Sequence, residues 1–205
     1  MVAVEPGRRL RKKDATYNAV VDVALRLFER DGFDGVTMER IAAEADVAKA
    51  TLYRYFPVKE AILAAFVRRE TARRRPDIEA LIAAEPDTRR RLVVLYRCMA
   101  EWFAANRTYL SRYITYRLAS PGGYVPREEE RSGFHHHLAL VLAAGQRDGD
   151  VRADRPVNEL AGALGCLHLA AILRWLAEPE SDLVATVEPM VSLFLEGAGR
   201  DGGRP

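Results

Sequence analysis

The chain has 205 residues, room for one large domain or two small ones, and its 49% hydrophobic and 29% charged content excludes a mostly disordered, collagen-like or disulfide-scaffold protein. The net charge is only +2, but residues 1–75 carry 16 basic and 11 acidic side chains, a balance of +5, while residues 76–205 carry 15 and 18, a balance of −3. A basic front end on an acidic remainder points to an anionic partner for the front end alone.

Nearly every long segment repeats its apolar residues at the helical period, and no strand-like alternation stands out. Arg8, Arg9, Arg11, Lys12 and Lys13 place five positive charges in six positions. Residues 1–13 therefore read as a disordered arm, either a solvated tail or one that touches phosphates or a minor groove. A first helix is expected from Asp14 to Arg30, with Tyr17, Val20, Val21, Ala24, Leu27 and Phe28 on one stripe and Asp31-Gly32 ending it. Thr37 then caps a short helix that carries Met38, Ile41, Ala42 and Ala45 on one face. Asp46-Val47-Ala48 makes a tight connection to a third short helix, Lys49 to Phe56, which Pro57 stops. A fourth begins near Lys59, buries Ile62, Leu63, Phe66 and Val67, and frays at Arg73-Arg74-Arg75-Pro76.

The remainder reads as a larger helical body. Helices are expected from about Asp87 to Ala105 and from Thr108 to Leu118, before Ser120-Pro121-Gly122-Gly123 breaks the chain. Pro126 with Glu128, Glu129 and Glu130 suits the start of a long helix ending near Gly149. Another runs from Asp154-Arg155-Pro156 to Ala177, and a last one from Glu180 to Glu196 with a kink at Pro189. Residues 198–205 read as a disordered tail. Cys98 and Cys166 sit in apolar patterns and read as buried free thiols of a reducing compartment. Met1–Lys13 lacks the apolar centre of a signal peptide, and no run of about 18 uncharged apolar residues occurs. A cytoplasmic protein without a membrane partner is expected.

Two short helices joined by a three-residue turn and packed on a longer one form a helix-turn-helix, whose second helix fits the DNA major groove. The stretch from Val36 to Leu63 (VTMERIAAEADVAKATLYRYFPVKEAIL) closely resembles the DNA-binding signature of the tetracycline-repressor (TetR) family of bacterial transcription regulators. Ala24 to Phe33 is similar to that family's first helix, so the likeness covers residues 14–68. It implies an all-α fold: a three-helix DNA-binding domain over 14–58, a connecting helix over 59–75, and a ligand-binding and dimerisation domain over 76–197, about nine helices in all. Ile41, Ala42, Ala45, Val47, Leu52 and Phe56 match core positions. Thr37 matches a cap that holds a phosphate. Lys49, Ala50 and Thr51 match the base-reading start of the recognition helix. Tyr53 matches a tyrosine that touches a phosphate or a thymine methyl, Lys59 matches a phosphate-binding lysine and also reads as a solvated surface lysine, and Arg54 and Tyr55 are the next outward candidates. Lys49 suits guanine and Thr51 a thymine methyl. Three positions depart from the family pattern. Asp46 replaces the usual turn glycine, Ala48 replaces the Ser/Thr cap of the recognition helix, and Ala50 occupies the small position after Lys49.

One such helix reads only a few base pairs, so the resemblance implies a homodimer on a near-palindromic double-stranded operator, with half-sites about 34–36 Å apart. It also implies a small-molecule effector in the C-terminal domain, and repression is the expected mode. Trp102, Tyr109, Tyr113, Tyr116, His137, His168 and Trp175 mix apolar walls with polar groups as a pocket requires, and also read as ordinary core. The scarcity of dense charge there leans toward an uncharged or aromatic ligand. The last two helices supply the expected dimer interface through Ala161, Gly162, Gly165, Leu183, Val187, Met190, Val191 and Phe194, against the alternative of burial within one subunit. His135, His136 and His137 point about 100° apart on a helix and cannot all ligate one ion, although one of them can pair with His168. No cofactor or metal is expected. Among rival functions, a metal-dependent enzyme lacks any nucleophile elbow, phosphate-binding glycine loop or HExxH pattern. A helical oligomer without DNA binding leaves the basic front end unexplained.

Overall fold

The computed structural model describes residues 6–119, 133–178 and 180–197, with side chains from Asp14 onward. It contains α1 (Pro6–Asp31), α2 (Met38–Glu44), α3 (Lys49–Tyr55), α4 (Lys59–Ala84), α5 (Thr88–Ala105), α6 (Arg107–Ala119), α7 (Phe134–Asp148), α8 (Val157–Ala177) and α9 (Val187–Glu196). No strand occurs among the described residues. The chain divides into two units, with the divisions falling after Arg69 inside α4 and before Arg112 inside α6. The first unit thus takes in the start of α4 and the end of α6, where the sequence placed a boundary at 58 and a connector to 75.

In the first unit the predicted stripe of α1 closes on α2, α3 and the start of α4. Val20, Val21, Ala24, Leu27, Phe28, Ile41, Leu52, Phe56, Ile62 and Leu63 are each buried. Removing one of these aliphatic side chains costs about 2–5 kcal/mol. Helix α1 starts at Pro6 rather than Asp14 and takes in the basic run 8–13 that was expected as a disordered arm. It ends at Asp31 because Gly32 turns the backbone left-handed, at φ 76°. Helix α4 does not fray at Pro76: it runs through it to Ala84. The proline removes the amide that would have bonded to the carbonyl of Ala72, a cost of about 3 kcal/mol. Burial of Ile78 one turn-half later helps to offset it.

In the second unit α5 packs on α7 and α9, and α7 on α8. Asp87 caps α5 by accepting from the Arg90 amide at 2.8 Å. Asp150 ties the end of α7 to α5, its Oδ2 accepting from both the amide and the hydroxyl of Thr88 at 3.1 Å. Gly145 faces the same threonine so closely that a Cβ there would strike Thr88 Oγ1 and Val151 Cγ2. Pro189 does not kink the last helix. It occupies the third position of α9, within the first turn, where no amide has an intrahelical partner. A 3-10 turn, Val184–Thr186, leads into it in place of the expected helical start at Glu180. The proposed helix opening at Pro126 and Glu128–Glu130, the Ser120–Gly123 break and the 198–205 tail lie outside the described residues. Cys166 is exposed and Cys98 half-buried, so neither is the fully buried thiol expected. Burial, chiefly, raises the Cys98 thiol.

Candidate nucleic-acid interface

Thr37 holds the start of α2 as expected: its Oγ1 accepts from the Arg40 amide at 3.2 Å. The hydroxyl proton stays available to donate outward, since Thr37 itself is exposed. The chain then turns at Asp46, which adopts φ 51°, the one positive φ outside glycine among the described residues. Aspartate tolerates this conformation better than most residues. The Val47 amide closes the turn on Ala42 O at 3.0 Å. Helix α3 begins at Lys49 without a side-chain cap, because Ala48 has no acceptor to offer. Its hold on the unit is apolar: Leu52 and Phe56 are buried while Lys49, Ala50, Tyr53 and Arg54 are exposed.

The exposed readers are not independent. Glu39, in the first turn of α2, lies across from α3. Its Oε1 sits 2.7 Å from Lys49 Nζ and accepts from Tyr53 Oη at 3.2 Å. The bond to Lys49 is the main cause that holds the Glu39 carboxyl below its ordinary range, and the same bond raises the Lys49 ammonium. Nothing in the spacing of residues 39, 49 and 53 marks this triad, since it joins two helices that meet only in the fold.

Three expected contacts are placed differently. Tyr55 does not point freely outward: it is half-buried, edge-on to Tyr17 at 6.1 Å, with the Arg54 guanidinium 5.5 Å from its ring. Thr51 is half-buried as well. Lys59 is engaged within the protein: Nζ donates to Phe33 O and Val36 O, each at 2.6 Å, and lies 4.6 Å from the Phe33 ring centre. Two of its three donors thus fasten the α1–α2 loop to the start of α4. Arg112 of α6 grips the same loop, donating to Asp34 Oδ2 at 2.6 Å with its guanidinium 5.5 Å from Phe33. Neither role was visible in the sequence.

The expected pocket residues are divided between the two units. Tyr113 and Tyr116 belong to the first unit, and Trp102, Tyr109, His137, His168 and Trp175 to the second. Trp175 is core: it is buried, with the Arg107 guanidinium 4.2 Å from its ring and bonded to its carbonyl at 2.6 Å. His168 is buried among Tyr96, Phe103 and Phe134, with ring centres 4.7, 5.8 and 5.0 Å away. Burial pushes its pKa down to about 3, so the ring is neutral. His137 is also buried and lowered by burial, against the opposing pull of Glu79 at 3.8 Å. Among the described residues, the Nε2 atoms of His137 and His168 both lack a hydrogen-bond partner. Among the described residues no group of three or more His, Cys, Asp or Glu side chains is placed to hold a metal.

Burial divides the expected dimer face. Ala161, Gly165, Leu183, Val187 and Val191 are buried inside the chain itself, while Gly162, Met190 and Phe194 remain partly exposed. The exposed stripe of α8 lies one step round the helix, at Ala163, Cys166, Ala170 and Leu173, and Leu193 does the same on α9. Leu173 is 42% and Leu193 48% exposed. By length and composition α8 is the one described helix apolar enough to cross a membrane, and only about a third of that stretch is buried.

Comparison with known proteins agrees with this geometry. The family model described as "Bacterial regulatory proteins, tetR family" matches residues 20–66, which span the helix-turn-helix. The HTH-type transcriptional repressor KstR of Mycobacterium tuberculosis is 35% identical over 181 residues, covering 86% of this chain and 76% of that protein. The HTH-type transcriptional regulator Rv1255c of the same organism is 33% identical over 107 residues; the match covers 47% of this chain, which spans about half (53%) of that relative's length. Among solved structures, Thermus thermophilus FadR, a TetR-family transcriptional repressor in complex with lauroyl-CoA, superposes with a TM-score of 0.76 at 26% identity, covering 92% of this chain and 98% of that one. The chain belongs to the TetR family of bacterial regulatory proteins.

Proposed function

We propose that the protein is a transcriptional repressor that binds a near-palindromic operator as a homodimer and releases it when a small molecule occupies the helical body. The observation that carries this reading is the two-sided build of α3. Leu52 and Phe56 anchor it in the core while Lys49, Ala50, Tyr53 and Arg54 stand exposed beside a capped α2. A rigid helix with a cationic, hydrogen-bonding outer face is what the major groove accepts.

The second copy pairs through the exposed faces of α8 and α9. Ala163, Cys166 and Ala170 allow close helix approach, and Leu173 and Leu193 supply apolar area to bury. This face, and not the buried one expected from the sequence, is the interface proposed.

The effector acts by favouring a conformation whose recognition helices no longer match the groove spacing. An acyl-CoA is the first class to test, because the FadR relative carries lauroyl-CoA. Within the second unit, the Nε2 atoms of His137 and His168, which have no hydrogen-bond partner among the described residues, are buried polar groups such a ligand could engage. The protein acts in the cytoplasm, where its DNA lies.

The test is retention of fragmented genomic DNA from the source organism at two salt concentrations, with and without lauroyl-CoA. Enrichment of a near-palindrome that survives moderate salt supports a site-specific dimer, and its loss on adding the ligand supports the effector class. Salt-sensitive retention without a common sequence rejects the repressor reading, because it reflects backbone attraction alone.

A further inference from the structure

Glu39 is an anomaly in a surface built to meet DNA. A carboxylate is repelled by phosphates, yet this one stands among the exposed cationic and hydroxyl groups of α3, with half of its own side chain exposed. It holds two of them at once, Lys49 at 2.7 Å and Tyr53 at 3.2 Å, both on Oε1. Oε2 takes no part in either bond. An ionised carboxylate has about four acceptor positions, so capacity remains.

We infer that Glu39, on α2 and outside the recognition helix, determines base specificity: it holds Lys49 and Tyr53 back from the phosphates and accepts a hydrogen bond from the N4 amino group of a cytosine. The inference rests on the DNA-binding reading above. Its logic is complementarity. The major-groove edge of a G·C pair sets the O6 acceptor of guanine beside the N4 donor of cytosine. Lys49 and Glu39 present the reverse pair, a donor beside an acceptor, 2.7 Å apart. Where the base facing the carboxylate carries no amino group, neither cytosine N4 nor adenine N6, Glu39 meets no donor and Lys49 remains tied to it. The ammonium is then withheld from non-specific phosphate contact, which lowers background affinity and so widens discrimination.

The experiment is selection from a randomised operator library by the full chain, its E39A and E39Q variants, and E39A/K49A, with the salt dependence of affinity measured for each. The wild-type protein is expected to enrich a G·C pair at one fixed position of each half-site. E39A is expected to lose roughly tenfold or more of the preference at that position. Its affinity for unrelated DNA rises, and the slope of log affinity against log salt steepens by about 0.9 per half-site as Lys49 reaches a phosphate. That steepening disappears in E39A/K49A, measured against K49A alone. E39Q keeps the side-chain shape and shifts the position toward adenine, the base glutamine reads. An E39A protein with the wild-type base preference and salt slope overturns the inference while leaving the repressor reading intact. A wild-type protein that enriches no site overturns the repressor reading itself. A carboxylate that merely braced α2 against α3 would alter the melting temperature and leave both base preference and salt slope unmoved.

Discussion

The neutral His168 makes acid the sharpest probe of the helical body. In the unfolded chain its imidazole titrates near its ordinary value of about 6.5. In the fold, burial among Tyr96, Phe103 and Phe134 lowers that value to about 3. A base whose folded pKa is depressed is protonated first in the unfolded state, so stability is unaffected above pH 6.5 and falls as the pH drops toward 3. At pH 4.5 the loss from this one group is about 2.7 kcal/mol, two pH units at about 1.36 kcal/mol each. The assay is urea unfolding of wild type and His168→Leu at pH 7.5, 5.5 and 4.5. The variant removes a nitrogen with no hydrogen-bond partner among the described residues and keeps an apolar filling; at pH 7.5 about 1–3 kcal/mol gained from the buried polar atom, set against about 0.5–1.5 kcal/mol of ring packing lost, gives a constant offset between the two proteins. Carboxylates titrate in both proteins and cancel in the difference. His137, whose shift has the same sign and whose neighbours are Glu79, Arg75 and His136, cancels as well. The stability of wild type relative to the variant should therefore fall by about 2.7 kcal/mol between pH 7.5 and 4.5. Parallel pH profiles would refute the reasoning and would mean that water or a polar partner reaches the ring.

Four further outcomes are expected. Lys59→Ala should lose about 1–3 kcal/mol because the carbonyls of Phe33 and Val36 lose a charged donor, which thermal unfolding reads as a drop of several degrees; a variant that weakens DNA binding with unchanged melting would restore a pure phosphate role. Gly145→Ala should cost about 1–3 kcal/mol by forcing Thr88 and Val151 apart, and an unaltered denaturation midpoint would show that α5 and α7 can yield. Leu173→Glu and Leu193→Glu should each shift sedimentation from dimer to monomer while circular dichroism stays helical, and a persistent dimer would move the interface elsewhere. Ala48→Ser should stabilise by about 0.5–2 kcal/mol, since the backbone at φ −60° and ψ 139° already suits a cap; no gain in melting temperature would mean that the first amides of α3 are satisfied in another way.

Much of the first unit was legible because its signals are local. The apolar stripe of α1, the Thr37 cap, the strained turn at Asp46 and the uncapped start at Ala48 each depend on a few adjacent residues, and each stands where the sequence placed it. Proline misled twice, for opposite reasons. At Pro76 tertiary burial of Ile78 overrode a helix-breaking residue, whereas at Pro189 the helix simply begins so close to the proline that no bond is lost. Local reading assigns a cost to a residue, but the fold decides whether that cost is met or avoided.

The illegible part is whatever depends on which side of a helix finds a neighbour. Helices α8 and α9 are apolar on nearly every side, so periodicity gives no phase. The sequence reading chose Leu183, Val187 and Val191 for the partner, and the chain uses those three residues for its own core. Recognition chemistry has the same blind spot. Lys49 and Tyr53 match DNA-contact positions of one exposed helix face, and nothing local in the sequence tells that Glu39 reaches both from another helix, ten residues upstream of Lys49. Lys59 was matched to a phosphate, and its ammonium closes on two carbonyls more than twenty residues earlier. In each case the residue type is legible in the sequence and the partner within the chain is not. A motif states which groups can act; only the packed structure states which of them are already engaged.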